Sequence, residues 1–212
     1  MTKGIDLSAT SVTTPQSGGS ESKTEEPPEE KVQARQESAK REVLLRRPVS
    51  EDGADVHRLI SRCPPLDENS LYCNLLHSSH FAATSVAAQW EGAGEEKGEL
   101  AGFVSGYLVP ERPDTLFVWQ VAVAEEARGL GLAGRMIRDI LGRPSCAQVR
   151  YLETTITPGN EASWALFRGL ARKLDTGCAE SVMFDRERHF RGRHDSEMLL
   201  RIGPFSGSAI RG

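Results

Sequence analysis

The sequence predicts an α+β fold in which a mixed sheet is flanked by helices, and three observations lead to this prediction. Two strand-like apolar runs, 84–90 and 100–109, are joined by a polar, glycine-rich segment that is typical of a β-hairpin. A third run, 115–123, leads through two glycines into an apolar pattern with helical spacing at 129–141. Further strands and helices follow without an internal repeat, so one domain with a single mixed sheet is expected.

The elements before the hairpin are short. An apolar run at 43–45 begins a strand that ends at Pro48. Ser50, followed by two acidic residues, predicts the start of a helix whose apolar stripe is formed by Val56, Leu59 and Ile60. This helix should end at the prolines 64–65.

A second helix is predicted after Asp67, which can cap it, with Leu71, Leu75 and Leu76 facing inward. The segment 110–114 turns the chain from the second strand-like run into the third. Later elements are predicted as strands at 149–156, 181–184 and 198–202 and a helix at 161–170.

Composition divides the chain into three parts. Residues 1–41 are rich in Ser, Thr, Glu, Lys and Pro and have no aromatic residue, so we expect a disordered extension. The folded domain is predicted at 42–203, and 204–212 is expected to be a flexible tail.

Charge and hydropathy exclude several classes of protein. The 212 residues carry a net charge of −4, which argues against a nucleic-acid-binding protein. The arginines between 186 and 193 are the one basic cluster, either a solvated surface or a site for dimer or phosphate contacts. No apolar run reaches the roughly 18–20 residues that span a bilayer, and no signal peptide is evident, so a cytoplasmic enzyme is expected. The four cysteines are too widely spaced to predict a zinc site, and no metal is expected.

The segment VWQVAVAEEARGLGLAGRMIRDIL (118–141) carries the chemistry. Glycines where a strand runs into a helix let backbone N–H groups point into one concavity at the helix N-terminus, which suits a diphosphate. Gly129 and Gly131 should leave room for close approach of the ligand. The segment contains neither a Walker A motif nor a Rossmann fingerprint; an ordinary capping turn is the alternative.

This segment resembles the Arg/Gln-x-x-Gly-x-Gly/Ala motif of the GNAT acetyltransferases, and NEASWALF (160–167) resembles a second motif of the same family. The resemblance implies a mostly antiparallel sheet with a splayed central pair of strands, and acetyl-CoA as co-substrate. The residues that it implies for coenzyme binding are Val121, Val123, Arg128, Gly129, Leu130, Gly131, Leu132, Ala133, Gly134, Asn160 and Ser163. Asn160 is also a possible helix cap. One position departs from the family, because Phe167 stands where a tyrosine often acts as general acid.

A more specific resemblance, covering about 42–203, is to the L-2,4-diaminobutyrate acetyltransferases of ectoine biosynthesis. It rests on PPLDENSLY (64–72), HFA (80–82), GFVSGY (102–107), FVWQVAV (117–123) and LETTITP (152–158). The resemblance implies acetyl transfer from acetyl-CoA to the 4-amino group of diaminobutyrate, in a cytoplasmic homodimer. It implies substrate contacts by Asp67, Trp119 and Glu197, and Tyr72 is a further candidate whose hydroxyl could line the same cleft.

The substrate explains why carboxylates are needed, since it has two ammonium groups, one of which must lose a proton before it attacks the thioester. We expect Glu197 to accept this proton, with Asp67 and then His194 as the next candidates. A backbone N–H near Val121 or Val123 should stabilise the developing oxyanion. Each assignment has a structural alternative: a helix cap for Asp67, a surface charge for Glu197, and core packing for Trp119 and Tyr72.

Two other functions fit the same motifs. The enzyme could act on a different amine, such as ornithine, lysine, a polyamine or a protein N-terminus. A regulator that binds coenzyme A without catalysis is the second alternative, which the phenylalanine at 167 favours slightly.

Overall fold

One sheet of seven strands organises the protein in a computed structural model that describes residues 42–64, 66–91 and 98–207. The strands are β1 Val43–Arg46, β2 Val86–Trp90, β3 Leu100–Val109, β4 Arg112–Val123, β5 Tyr151–Ile156, β6 Cys178–Phe184 and β7 Glu197–Ile202. They lie in the order β1-β2-β3-β4-β5-β7-β6. Every neighbouring pair is antiparallel except β4 and β5, which are parallel, so the sheet is mixed as predicted.

Within the described residues, five α-helices accompany the sheet: α1 Gly53–Ser61, α2 Leu71–Ser79, α3 Leu132–Leu141, α4 Glu161–Lys173 and α5 Arg186–Phe190. The main core lies between the sheet and helices α3 and α4, where Met136, Ile137 and Phe167 pack against strand residues. A smaller core lies on the opposite face, where the predicted stripe of α1 packs against Phe103 and Ala122. No helix of the described residues is both long and apolar enough to cross a bilayer.

Strands β4 and β5 pair only over a short stretch. The paired residues are Thr115 with Tyr151, Leu116 with Leu152 and Phe117 with Glu153. Beyond Phe117 both strands continue without pairing to each other, so a gap opens between their C-terminal ends. This is the splayed central pair that the family resemblance implied.

A bulge interrupts β4 at the start of this gap. Ser105 of β3 pairs with Gln120 and Gly106 pairs with Val118, so Trp119 is an extra residue without a partner on β3. A bulge of this kind bends the strand and redirects the side chains next to it.

Most element boundaries lie close to the predicted ones. The bounds of β3 match, whereas α3 begins at Leu132, after the glycines, because Gly129 and Gly131 have positive φ values of 82° and 71° that do not continue a helix. Residues 112–114, which were expected in a turn, already belong to β4. The short helix α5 was not predicted.

The prediction for α2 was wrong in two respects. Ser70, not Asp67, caps the helix, since its side chain accepts a hydrogen bond from the Cys73 amide. The buried face is polar, formed by Asn74, His77 and Ser78, whereas Leu71 is largely exposed. The reason is that Asn74 bonds to Asn69 and His57, and His77 packs against the rings of Phe81 and Trp119, so these buried positions are not occupied by aliphatic residues.

The folded part also extends beyond the predicted boundary at 203. Phe205 is buried in the main core, and its amide donates to the Arg150 carbonyl at 2.9 Å. The tail predicted from 204 therefore begins later than expected. The predicted disordered extension at 1–41, Pro65, most of the hairpin loop (92–97) and the end of the tail (208–212) lie outside the described residues.

Candidate active site

The loop between β4 and α3 has the conformation that a diphosphate site requires. Gly129 and Gly131 both lie in the left-handed region of φ, and Gly131 directly precedes the first turn of α3. The amides of residues 129–134 donate no hydrogen bond to any part of the chain that the structure describes. Unpaired donors at a helix N-terminus create positive potential, so this loop can bind an anion.

There is also space for the ligand above this loop. A Cβ atom built on Gly129, Gly131 or Gly134 meets no other atom within 4 Å. The left-handed backbone accounts for Gly129 and Gly131, and the open space beside all three glycines leaves room for a group held close to the backbone. Beside the loop, the Nε of Arg128 donates to the Val123 carbonyl at 3.1 Å, which leaves the two terminal nitrogens of this exposed side chain facing outward.

The backbone of β4 offers a second set of donors. The Ala124 amide donates to the Ala101 carbonyl on β3 at 2.9 Å. Because donors alternate between the two sides of an antiparallel strand, the amides of Val121 and Val123 point away from β3 and toward the gap beside β5. The Val123 carbonyl is already occupied by Arg128 and by the Cys63 thiol, so only its amide is free to bind a ligand.

The start of α4 faces the other side of this gap. Asn160 caps α4 by accepting a hydrogen bond from the Ser163 amide at 3.1 Å, so the capping role is present. Phe167 lies two turns later and is buried in the main core. A tyrosine hydroxyl at that position would therefore point into apolar packing and not into the gap.

The three candidate catalytic side chains lie together, although they are distant in sequence. The His194 Nε2 atom is 3.7 Å from the Asp67 carboxylate and 3.9 Å from the Glu197 carboxylate. The side chain of Glu197 is only 19% exposed, which excludes the interpretation as a surface charge, whereas the Asp67 side chain is 88% exposed. Glu197 begins β7, which pairs with the end of β5 that has separated from β4, so the cluster stands at the open end of the gap.

The surroundings of Glu197 alter its acidity. Burial raises the pKa of its carboxyl, and the neighbouring Asp67 charge raises it further, while a hydrogen bond with Thr155 and the His194 charge act in the opposite direction. The net effect is a raised pKa. A carboxylate with a raised pKa is a stronger proton acceptor, which suits a general base.

Trp119 directly precedes Gln120, which bonds to the loop that carries Asp67, and it is not a core residue, since it is 50% exposed. Its ring meets His77 edge-on at 5.1 Å between centroids and Tyr107 at 6.4 Å. The ring of His77 is almost fully buried, and this burial lowers its pKa, so it stays neutral against the indole. The aromatic group thus forms an apolar wall on the α2 side of the sheet.

Tyr72 is the predicted substrate residue that the structure does not bring to the others. It is 70% exposed on the first turn of α2, with no ring contact or hydrogen bond to another candidate within the described ranges. Its role remains a prediction. No group of three or more His, Cys, Asp or Glu residues arranged to hold a metal ion occurs in the part of the chain that the structure describes.

Two buried polar groups near the site were not predicted. Gln120 is largely buried and bonds to the loop that carries Asp67. Glu153, at the last paired position of β5, is clamped by Arg112 and Arg201. A polar residue within an otherwise apolar strand was the available signal in both cases, because such a residue needs a partner once it is buried.

Comparisons with known proteins agree with this geometry. The model of the acetyltransferase (GNAT) family matches residues 54–171. An L-2,4-diaminobutyric acid acetyltransferase of Methylotuvimicrobium alcaliphilum is 61% identical over 163 residues, which are 77% of this chain and 91% of the relative. This chain belongs to the L-2,4-diaminobutyric acid acetyltransferases of the GNAT family.

Solved structures agree with this assignment. The diaminobutyrate acetyltransferase of Paenibacillus lautus, solved with L-2,4-diaminobutyric acid and coenzyme A, has a TM-score of 0.71 and 39% identity, and the match covers 78% of this chain and 96% of that chain. The ribosomal-protein-S18-alanine N-acetyltransferase of Escherichia coli has a TM-score of 0.56 and 14% identity, over 78% of this chain and 96% of that chain. The second likeness concerns the fold alone. The GNAT assignment explains why the two strands separate while the rest of the sheet stays paired.

Proposed function

We propose that this protein transfers the acetyl group of acetyl-CoA to the 4-amino group of L-2,4-diaminobutyrate, giving N4-acetyl-L-2,4-diaminobutyrate. One observation carries this proposal. Two carboxylates, those of Asp67 and Glu197, both lie within 4 Å of the His194 Nε2 atom at the open end of the gap between β4 and β5. A diamine has two cationic groups to be recognised, and this is the chemistry that paired carboxylates provide.

The coenzyme is expected to lie along the gap. Its diphosphate would be held by the free amides of 129–134, and its pantetheine arm by the amides of Val121 and Val123. Asn160 and Ser163, at the start of α4, would line the opposite side of the arm. The thioester brings an acyl carbon that can accept the amine nitrogen, with the coenzyme A thiol as leaving group.

The residues of the cluster then have distinct tasks. Glu197 takes a proton from the 4-ammonium, because its raised pKa makes it a better acceptor than an ordinary glutamate and its partly buried carboxylate lies at the gap. Asp67 is more exposed and pairs with an ammonium group of the substrate. Trp119 packs against the methylene groups of the substrate.

The backbone and the core complete the reaction. An amide of Val121 or Val123 donates to the carbonyl oxygen as negative charge develops there. The neutral amine attacks the thioester carbon, and the new C–N bond forms as the carbonyl oxygen becomes negative. The C–S bond then breaks, the positively charged nitrogen gives its extra proton to water, and the departing thiolate takes a proton from water. Phe167 has no proton to give and is buried in the main core.

Substrate specificity tests the proposal directly. Acetyl transfer from acetyl-CoA is measured by release of the free thiol with 2,4-diaminobutyrate, ornithine and lysine, and NMR of the product identifies the acetylated nitrogen. We expect the highest kcat/KM with diaminobutyrate and a single N4-acetyl product. A higher kcat/KM with ornithine or lysine would overturn the choice of substrate. If none of the amines tested caused thiol release, the protein would be a coenzyme-binding protein without this activity.

The identity of the base is tested by Glu197→Gln. This change keeps the shape of the side chain and removes its basicity, so kcat should fall by about 100-fold or more. Measuring kcat and KM from acid to alkaline pH separates a lost base from a changed binding site. Turnover close to that of the wild type at every pH would exclude Glu197 as the base.

We also propose that the protein is a cytoplasmic homodimer. The sheet ends at β6, whose seven residues are all exposed, including Val182, Met183 and Phe184. An exposed edge strand with apolar side chains is usually covered by another chain. Light scattering after size exclusion should give the mass of two chains, and Val182→Lys should lower it toward one; a wild-type mass of one chain would exclude the dimer.

A further inference from the structure

In the loop between α1 and α2, the part that carries Asp67 is tied to strand β4 by the side-chain amide of Gln120. The Nε2 of Gln120 donates to the Asp67 carbonyl at 3.0 Å, and its Oε1 accepts from the Asn69 side chain at 2.8 Å. Residues 67–70 form no helix or strand, so no regular backbone pairing holds this segment. Gln120 therefore provides the link between this part of the loop and the sheet.

The same hydrogen bonds continue away from the site. The Nδ2 of Asn69 also lies 3.5 Å from the Oδ1 of Asn74, whose own Nδ2 is 3.3 Å from the His57 ring. Asn74 is fully buried on α2, and His57 lies on α1. The loop is thus fastened to both helices. Its link to β4 near Asp67 is Gln120, whereas the Cys63 thiol bonds to the Val123 carbonyl at the other end of the loop.

The bulge in β4 makes this arrangement possible. In a regular strand neighbouring side chains point to opposite faces of the sheet. Here Trp119 contacts His77 of α2 and Gln120 contacts the loop before α2, so both side chains lie on the same face. The extra residue at Trp119 therefore turns Gln120 toward the loop.

Gln120 is not placed to touch the substrate itself. Its side-chain oxygen and nitrogen both bond to the loop, and the residue is only 8% exposed. Its backbone, in contrast, lies between Trp119 and Val121, which border the substrate site and the gap. A change at Gln120 therefore reaches the reaction through the position of the loop.

We propose that Gln120 is a positioning residue that holds the Asp67 loop at a fixed position relative to β4. The 4-amino group of the substrate then lies at attack distance from the thioester. This inference rests on the proposed function. It assigns two tasks to strand β4: its backbone amides face the coenzyme, and the side chain of Gln120 positions the Asp67 carboxylate that binds the substrate. A shift of about 1 Å in such a geometry reduces turnover by about 100-fold.

The test is a double-mutant cycle with Gln120→Met and Asp67→Asn. Methionine has a similar length and lacks both hydrogen bonds, so kcat/KM for diaminobutyrate should fall by about 10- to 100-fold. The Kd for acetyl-CoA should stay within about 2-fold of the wild type, because the donors of the coenzyme site remain in place. In the Asp67→Asn background the same change should have little further effect, because coupled residues are not additive.

Asn69→Ala supplies a second variant in case Gln120→Met does not fold. It removes the hydrogen bond from Asn69 to the Gln120 Oε1, and it should likewise lower kcat/KM for the diamine while leaving the Kd for acetyl-CoA nearly unchanged. A control is Gln89→Met, since Gln89 is an equally buried glutamine that bonds to Arg46 and Gly98, far from the loop. It should leave the KM for the diamine unchanged.

Three outcomes would overturn the inference: additive effects of Gln120→Met and Asp67→Asn, an equal loss of acetyl-CoA affinity, or an unchanged kcat/KM for the diamine in both Gln120→Met and Asn69→Ala. Failure of the proposed function is a separate result, because it would appear as a wild-type enzyme that does not acetylate diaminobutyrate.

Discussion

Replacing Gly131 by alanine tests the diphosphate site most directly. Gly131 has a φ of 71°, and a Cβ atom there meets no protein atom within 4 Å. The cost to the free protein is therefore the left-handed backbone alone, about 1–2 kcal/mol. In the complex, however, the new methyl group occupies the space through which the diphosphate reaches the amides.

The expected loss of affinity follows from the number of donors affected. A hydrogen bond to a charged group contributes about 1.5–3 kcal/mol. If the methyl group separates the diphosphate from one of the amides of 129–134, the loss of about 2 kcal/mol corresponds to about a 30-fold increase in Kd. Loss of two donors would raise the Kd by about 1000-fold.

Gly134→Ala separates ligand crowding from backbone strain. Gly134 lies in the first turn of α3 without a positive φ, so alanine should stabilise the free protein by about 0.5–1 kcal/mol. It should nevertheless weaken coenzyme binding, because its Cβ enters the same open space. Gly177→Ala, also in open space but away from this loop, is the control.

Calorimetric titration with coenzyme A gives the Kd of each variant, and thermal unfolding gives its stability. We expect Gly134→Ala to raise the stability and lower the affinity for coenzyme A, whereas Gly131→Ala should lower both. If both variants bind coenzyme A as tightly as the wild type, the concavity does not hold the diphosphate and the assignment of the coenzyme site is refuted.

Three further predictions concern charge and packing. Asp67 raises and His194 lowers the pKa of Glu197, so Asp67→Asn should move the acid limb of the kcat/KM profile to lower pH and His194→Gln should move it to higher pH; shifts in the same direction would contradict this. Phe167→Tyr should not raise kcat, and it should destabilise the fold by about 1–3 kcal/mol in thermal unfolding, because the hydroxyl is buried without a partner. Glu153→Gln should lower the free energy of unfolding by about 3 kcal/mol, because two arginines lose the carboxylate that they share. Burial raises the pKa of Glu153, but hydrogen bonds from both arginines outweigh this effect and leave the pKa lowered. The contribution of Glu153 to folding stability is therefore fully present above the ordinary glutamate pKa and is lost as pH falls through the lowered pKa. If the wild type remained more stable than the glutamine variant in acid, this interpretation would be refuted.

Local patterns were sufficient for the elements whose burial is apolar. The bounds of β3 and the stripe of α1 follow from hydrophobic spacing. The start of α3 was predicted too early, at Gly129, because the spacing alone does not show that Gly129 and Gly131 take positive φ values. The pattern failed for α2, because Asn74 and His77 are buried by hydrogen bonding and aromatic contact with other elements. When the buried face of a helix is polar, the spacing of apolar residues does not show which face is buried.

The candidate site was predictable from sequence only through resemblance. Asp67 and Glu197 meet because β7 returns between β5 and β6 and because the loop before α2 lies over β4. Neither fact follows from spacing along the chain. The glycine loop, in contrast, is a local structure, and its open space and free amides match what its residue types predict.

The bulge at Trp119 explains why Gln120 could not be found by reading alternation. A regular strand over FVWQVAV would put Gln120 on the same face as Val118, toward the main core, where an amide would have no partner. In the structure Val118 packs in that core, whereas Gln120 faces the Asp67 loop, and no glycine marks the extra residue between them. A one-residue change of register thus converts an apparently misplaced glutamine into the link between substrate loop and coenzyme strand. The glutamine, rather than the apolar residues around it, is the part of this segment that indicates where the strand departs from regularity.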